Sequence, residues 1–244
     1  MKSFFTGISC FFLGLKALNQ QGLRRFVVLP LLFNFLLYGG IAYLSYHYLF
    51  AFTDYYIKQL PHWLSFLSSV FTLLFFLLFV LVFLSTFSVV ANVFAAPFNG
   101  LLSEKAQQLL YGIAVPERPL GTMVVQSIKR QGQFIFYYLP RFIGLCLLFL
   151  IPPLHPFLPF LWFIFNAWML SIQYQDFAMD NNLVDFNTMR KQIKNSKRFS
   201  MGFGFIISLL SFIPFLNILI MPAAVIGGTL MWYKRQQNKA TELL

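Results

Sequence analysis

Apolar positions fall in long blocks separated by short polar segments, and the block lengths predict a helical membrane protein. Residues 26–50 and 63–98 are nearly continuous runs of Leu, Phe, Val and Ile, 25 and 36 residues long. As helices they would extend about 37 and 54 Å, enough to cross a hydrocarbon core of about 30 Å. The later blocks are cut near their middles by proline: Pro152, Pro153, Pro156 and Pro159 in one, Pro214 in the other. Residues 157–172 and 202–213 would rise only about 24 and 18 Å, lengths that suit re-entrant segments. The expected fold is therefore all-α, one membrane domain over 1–244. It has long spanning helices at 22–58 and 62–110 and two half-penetrating, proline-broken hairpins at 134–173 and 199–235. Non-helical backbone at membrane depth must be satisfied by protein or water, which places the hairpin tips against neighbours or a pore. A six-span bundle is the alternative, with the same loops on the same face.

Residues 1–20 carry Phe4, Ile8, Phe11, Leu15 and Leu18 at helical spacing, with Thr6, Ser9 and Lys16 elsewhere and no small-residue cleavage site after them. The pattern predicts an interfacial amphipathic helix, or else a helix packed on the bundle.

Composition strengthens the membrane assignment, since 59% hydrophobic and 10% charged residues lie outside the range of soluble domains. The charge pattern then orients the chain. Of 18 Lys and Arg residues only Lys58 lies in the loop between the first two blocks; the other 17 fall on one face, which the positive-inside rule makes cytoplasmic. Both termini are expected on the cytoplasmic side of the membrane. The +11 net charge invites a nucleic-acid reading, but no binding motif accompanies the basic residues, so no nucleic-acid partner is expected.

Catalytic and cofactor signatures are missing. There is no phosphate-binding loop, HExxH or GxSxG, and neither Cys10 and Cys146 nor the scattered His47, His62 and His155 have ligand spacing, so no metal or cofactor is expected. Asp176 and Asp180 lie four apart, on one helical face. They are the only pair suited to acid/base chemistry, and capping or salt bridging with the basic run after them is the plainer role. That run, Arg190, Lys191, Lys194, Lys197 and Arg198, suits lipid headgroups or an anion funnel.

Arg24 and Arg25 stand apart because they sit at the mouth of the first long apolar block, after Gly22 and Leu23. Unpaired first-turn N–H groups, the helix dipole and two guanidinium forks could converge there on one small anion. About four charge-assisted bonds at roughly 1.5 kcal/mol each would give a Kd on the order of 10⁻⁵ to 10⁻⁴ M, which permits capture and release. Anchoring to phosphate headgroups is the simpler role for a juxtamembrane arginine pair. Asn34, Asn99, Glu104, Gln107 and Arg141 are polar candidates for a pathway near the membrane boundaries.

Four separated segments carry a resemblance. They are Gly22-Leu23-Arg24-Arg25-Phe26 through Leu29-Pro30 to Asn34; Ala96-Pro97-Phe98-Asn99-Gly100 through Glu104; Ile172-Gln173-Tyr174 with Asp176, Asp180 and Asn181; and Met221-Pro222-Ala223. In this order they resemble the CysZ family of bacterial sulfate permeases, from about residue 10 to the tail. The resemblance implies channel-like sulfate uptake across the inner membrane for assimilation into cysteine, by a homo-oligomer in contact with membrane lipids. It also implies that Gly22, Leu23, Arg24 and Arg25 hold the sulfate. A non-transporting lipid scaffold and a permease for another oxyanion remain the alternatives. Charge places the arginines at the cytoplasmic face, where an exit site and a feedback site are equally compatible with the residues.

Overall fold

The computed structural model describes residues 3–24, 98–116, 119–213 and 216–242, with scattered helical positions between 28 and 77. Arg25, Asn34 and Pro214 lie outside the described residues, as does most of the two long apolar blocks. The chain divides into two compact units, residues 29–95 and the remainder, and the elements below all belong to the second of these. Every regular element among the described residues is helical.

Helix α1 (Phe4–Ala17) opens on Ser3, whose hydroxyl accepts from the Thr6 N–H at 3.2 Å. Its buried face is Gly7, Cys10, Phe11, Gly14 and Ala17, packed against the last two helices of the unit. Of the apolar stripe expected from spacing only Phe11 is buried, and Phe5, Phe12, Leu13 and Leu15 are exposed. The small residues win the contact because they let backbones approach. A Cβ at Gly14 would overlap the Ala223 carbonyl oxygen, and one at Gly7 the Phe199 carbonyl oxygen.

Helix α2 (residues 98–111) leads to α3 (Leu120–Leu147), which two 3₁₀ turns, Leu148–Leu150 and Pro152–Phe157, join to α4 (Leu158–Asn181). The proline cluster makes the turn as expected, and His155 Nε2 closes it 2.9 Å from the Phe149 carbonyl oxygen. Pro140 lies inside α3 without ending it. The helix that holds 157–172 extends beyond that run, and Gly121–Leu150 and Pro152–Asn181, 30 residues each, are by length and composition apolar enough to cross a membrane. Their outer faces carry large exposed apolar side chains, among them Val125, Phe136, Leu147 and Phe160, which a soluble surface does not tolerate in this number.

Asp185 caps α5 (Phe186–Asn195), accepting from the Asn187 and Thr188 N–H groups at 3.0 and 2.9 Å. Hydrogen bonds from Thr188, then from Asn187, hold the Asp185 carboxyl below its ordinary range, so the cap is in place at neutral pH and is lost as pH falls through that lowered value. Helices α6 (Lys197–Leu210) and α7 (Asn217–Glu242) follow, and Pro222 is accommodated inside α7. The core gathers Phe11, Leu23, Leu102, Phe199, Phe203, Ile226 and Met231.

At the close α4–α6 crossing a Cβ at Gly204 would overlap the Ala167 carbonyl oxygen. Gly204→Ala is therefore expected to destabilise the detergent-solubilised protein by about 1–3 kcal/mol through forced separation of the helices. Gly144→Ala, on α3 with nothing within 4 Å, should not lower thermal stability and should raise it slightly through helix propensity. Equal effects at the two positions would contradict the packing account.

Candidate functional site

The turn after α1 is built by three residues with different tasks. Gly22 takes φ of +98°, a conformation that disfavours any residue with a Cβ. The requirement is backbone shape rather than crowding, since a Cβ there would meet only Leu109 Cδ1 at 3.5 Å. Leu23 is fully buried in the core with Leu102 and Ala106 of α2, which anchors the turn. Its N–H donates to the Gln20 carbonyl oxygen at 3.3 Å, so this donor is committed within the chain. Leu23 thus fixes the turn through its side chain.

Arg24 opens the next helical stretch, with its guanidinium exposed. Nη2 donates to Asn19 Oδ1 at 3.0 Å and to the Asn19 carbonyl oxygen at 3.3 Å, which folds the side chain back over the turn. Nε and Nη1 make no bond among the described residues. Asn19, which spacing gave no reason to single out, is thus the positioning residue for Arg24.

The pathway candidates divide. Gln107 is buried and pairs reciprocally with Asn182: its Nε2 donates to Asn182 Oδ1 at 3.2 Å and its Oε1 accepts from Asn182 Nδ2 at 2.8 Å. Beside it Asn181 Nδ2 donates to the Gly100 carbonyl oxygen at 2.7 Å, and the hydroxyls of Ser103 and Thr229 lie 2.9 Å apart. Gln107 therefore works in a polar seam that fastens α2 to α4 and α7. Asn99 and Glu104, also on α2, are half-buried. Arg141 is elsewhere, exposed on α3, with its guanidinium 3.7 Å over the Tyr137 ring.

Asp176 and Asp180 share a face of α4 as expected, but their cation comes from α3 rather than from the basic run that follows them. Arg130 Nε donates to both Asp176 oxygens at 2.9 and 3.0 Å, and Nη2 to Oδ1 at 2.6 Å. Asp180 Oδ1 lies 3.9 Å from Arg130 Nε and accepts from Gln126 Nε2 at 3.4 Å. Both partners of the main pair are buried. A second buried cation, Arg235, is held among the described residues by neutral oxygens. Nε donates to Ser196 Oγ at 3.0 Å, Nη2 to Ser200 Oγ at 2.9 Å and to Gln175 Oε1, and buried Nη1 has no hydrogen-bond partner among the described residues. Neither network was legible in the sequence, because 46 and 60 residues separate the principal partners.

Together these features define a helical membrane protein with a cationic turn at a helix start, anchored to the core through one leucine and one glycine-dependent bend. The family model described as sulfate transporter CysZ/etoposide-induced protein 2.4 matches residues 10–222, and the chain belongs to that family. A sulfate transporter CysZ of Pectobacterium atrosepticum is 41% identical over 242 residues, covering 98% of this chain and 88% of the relative. Its counterpart in Vibrio parahaemolyticus is 41% identical over 231 residues, covering 93% and 94%. That of Salmonella typhimurium is 42% identical over 231 residues, covering 93% and 91%.

Proposed function

We propose that the chain is a sulfate permease of the bacterial inner membrane, admitting sulfate by a channel-like path for assimilation into cysteine. It works as a multi-pass homo-oligomer with both termini in the cytoplasm. The observation that carries this reading is identity above 40% along nearly the whole chain to relatives named as sulfate transporters. Gly22, Leu23, Arg24 and Arg25 form the sulfate site: Gly22 supplies the bend, Leu23 fixes it to the core, and the two guanidiniums contact the dianion. Sulfate offers four acceptor oxygens, which suits a fork whose parallel N–H groups can reach two at once. Arg24 is exposed and its Nη2 is committed to Asn19, so the contact to sulfate is made by Nε and Nη1.

The α3–α4 hairpin penetrates the bilayer from the cytoplasmic side with its 3₁₀ tip inside, and the exposed apolar face of α1 lies along the interface. Of the pathway candidates, Asn34, Asn99 and Glu104 keep that role. Gln107 belongs to the helix seam and Arg141 to the cationic cluster described below.

Reconstitution of the purified chain in liposomes tests the permease reading. Radiolabelled sulfate should enter faster than into protein-free vesicles, saturably and without ATP. Uptake no faster than in empty vesicles would overturn transport and favour a lipid scaffold. Stronger uptake of sulfite or thiosulfate than of sulfate would identify a permease for another oxyanion.

A further inference from the structure

A cavity of about 620 Å³ opens between the α3–α4 hairpin and the α5–α6 pair, and its lining changes character along its length. At one end stand five cations: Arg141, Arg190, Lys191, Lys194 and Lys197. No acidic residue is among those that line it, and among the described residues no carboxylate pairs with any of the five. Toward the hairpin tip the lining is apolar, with Leu145 and Leu148 from α3 and Leu161, Ile164 and Phe165 from α4.

The cationic end is organised in advance. Arg141 and Arg190 both lie against the Tyr137 ring, at 3.7 and 4.8 Å. The ring is itself held by Trp168, whose Nε1 donates to the Tyr137 hydroxyl at 3.3 Å, and Arg141 Nη1 donates to the Tyr137 carbonyl oxygen at 2.5 Å. Two guanidiniums fixed on one phenol, with three ammonium groups beside them, repel one another unless an anion lies between.

The direction of the polarity gradient identifies that anion. From Arg141 to Leu148 the helix rises about 10 Å, so on α3 the apolar lining lies beyond the cation along the hairpin axis, in the order of a phospholipid's headgroup and chain. A free inorganic anion would use the cations and leave the apolar half unexplained. We propose that this cavity is a built site for one anionic phospholipid, its phosphate among Arg141, Arg190, Lys194 and Lys197. Its acyl chain runs along Leu145, Leu148, Ile164 and Phe165 into the bilayer. The site is distinct from the Gly22–Arg25 turn and goes beyond the permease reading, so it stands or falls separately.

Trp168 reports on the site directly, because it lines the cavity. In phosphatidylcholine nanodiscs holding the full chain, a few mole per cent of phosphatidylglycerol with brominated acyl chains should quench tryptophan emission well beyond the same amount of brominated phosphatidylcholine. The excess should vanish in Trp168→Phe. It should need at least tenfold more phosphatidylglycerol in the variant Arg141→Gln with Arg190→Gln and Lys194→Gln. Equal quenching by the two lipids in the native chain would overturn the proposal without recourse to any variant. Displacement of the brominated lipid by millimolar glycerol 3-phosphate or inorganic sulfate as effectively as by short-chain phosphatidylglycerol would also overturn it, since a free anion would then suffice.

Discussion

Replacing Arg24 and Arg25 together by alanine is expected to abolish measurable sulfate binding and to reduce uptake to the protein-free rate, with the fold intact. The two side chains supply the permanent charge of the proposed site. Charge-assisted hydrogen bonds contribute about 1.5–3 kcal/mol each, so losing two weakens the Kd by at least on the order of a hundredfold. Stability should change little, because Arg24 is exposed and its contacts to Asn19 are a surface pair. Calorimetry on detergent-solubilised protein gives the affinity, and liposome uptake at matched insertion gives transport. Loss of binding with uptake preserved would make the turn a feedback site. Binding and uptake both at native levels would remove Arg24 and Arg25 from the sulfate site. Asn19→Ala provides a graded comparison, since it frees the Arg24 fork without removing its charge and should weaken binding by a smaller factor.

The largest effect on stability is expected from Arg130→Ala. The substitution leaves Asp176 buried without its bidentate partner and Asp180 close by on the same helix face. Breaking a buried pair from one side costs about 3–5 kcal/mol, mostly the penalty of the charge left behind. For a chain of this length that corresponds to a fall in Tm on the order of 10 °C. The double replacement Arg130→Met with Asp176→Leu should recover most of the loss, since apolar groups of similar volume substitute well for a buried ion pair. A double variant as unstable as Arg130→Ala would mean that the pair contributes specific structure rather than mutual neutralisation. The same experiment tests the alternative of an intramembrane acid/base pair. Asp176 is occupied on both oxygens by Arg130, so Asp176→Asn should lower stability and leave sulfate affinity at the Gly22–Arg25 turn intact.

Residue order by itself determined a great deal here. Block length, hydrophobic content and the confinement of 17 of 18 basic residues to segments outside the loop between the first two apolar blocks require only the bilayer's thickness and charge asymmetry to be interpreted, so helical class and membrane location were legible. The helix start at Arg24, after Gly22 and Leu23, was legible too, because helix-start chemistry is local and its residues are consecutive. The proline cluster at 152–159 marked the 3₁₀ turn for the same reason.

What the sequence could not supply is which distant positions meet. The apolar spacing of α1 allowed either an interfacial helix or one packed on the bundle, and Gly7 and Gly14, which permit closer approach than large residues, mark the face that packs. Asp176 was assigned to nearby basic residues by sequence distance, whereas the fold brings Arg130 to it from α3. Gln107 read as a pathway residue until Asn182 was found opposite it. Arg141 and Arg190, 49 positions apart, became one cationic cluster only when Tyr137 placed both guanidiniums on its ring. Periodicity and charge order are properties of a chain in a solvent of known thickness and can be read along it. Pairing across helices depends on which surfaces exclude lipid from one another, and that is fixed only when the whole bundle packs.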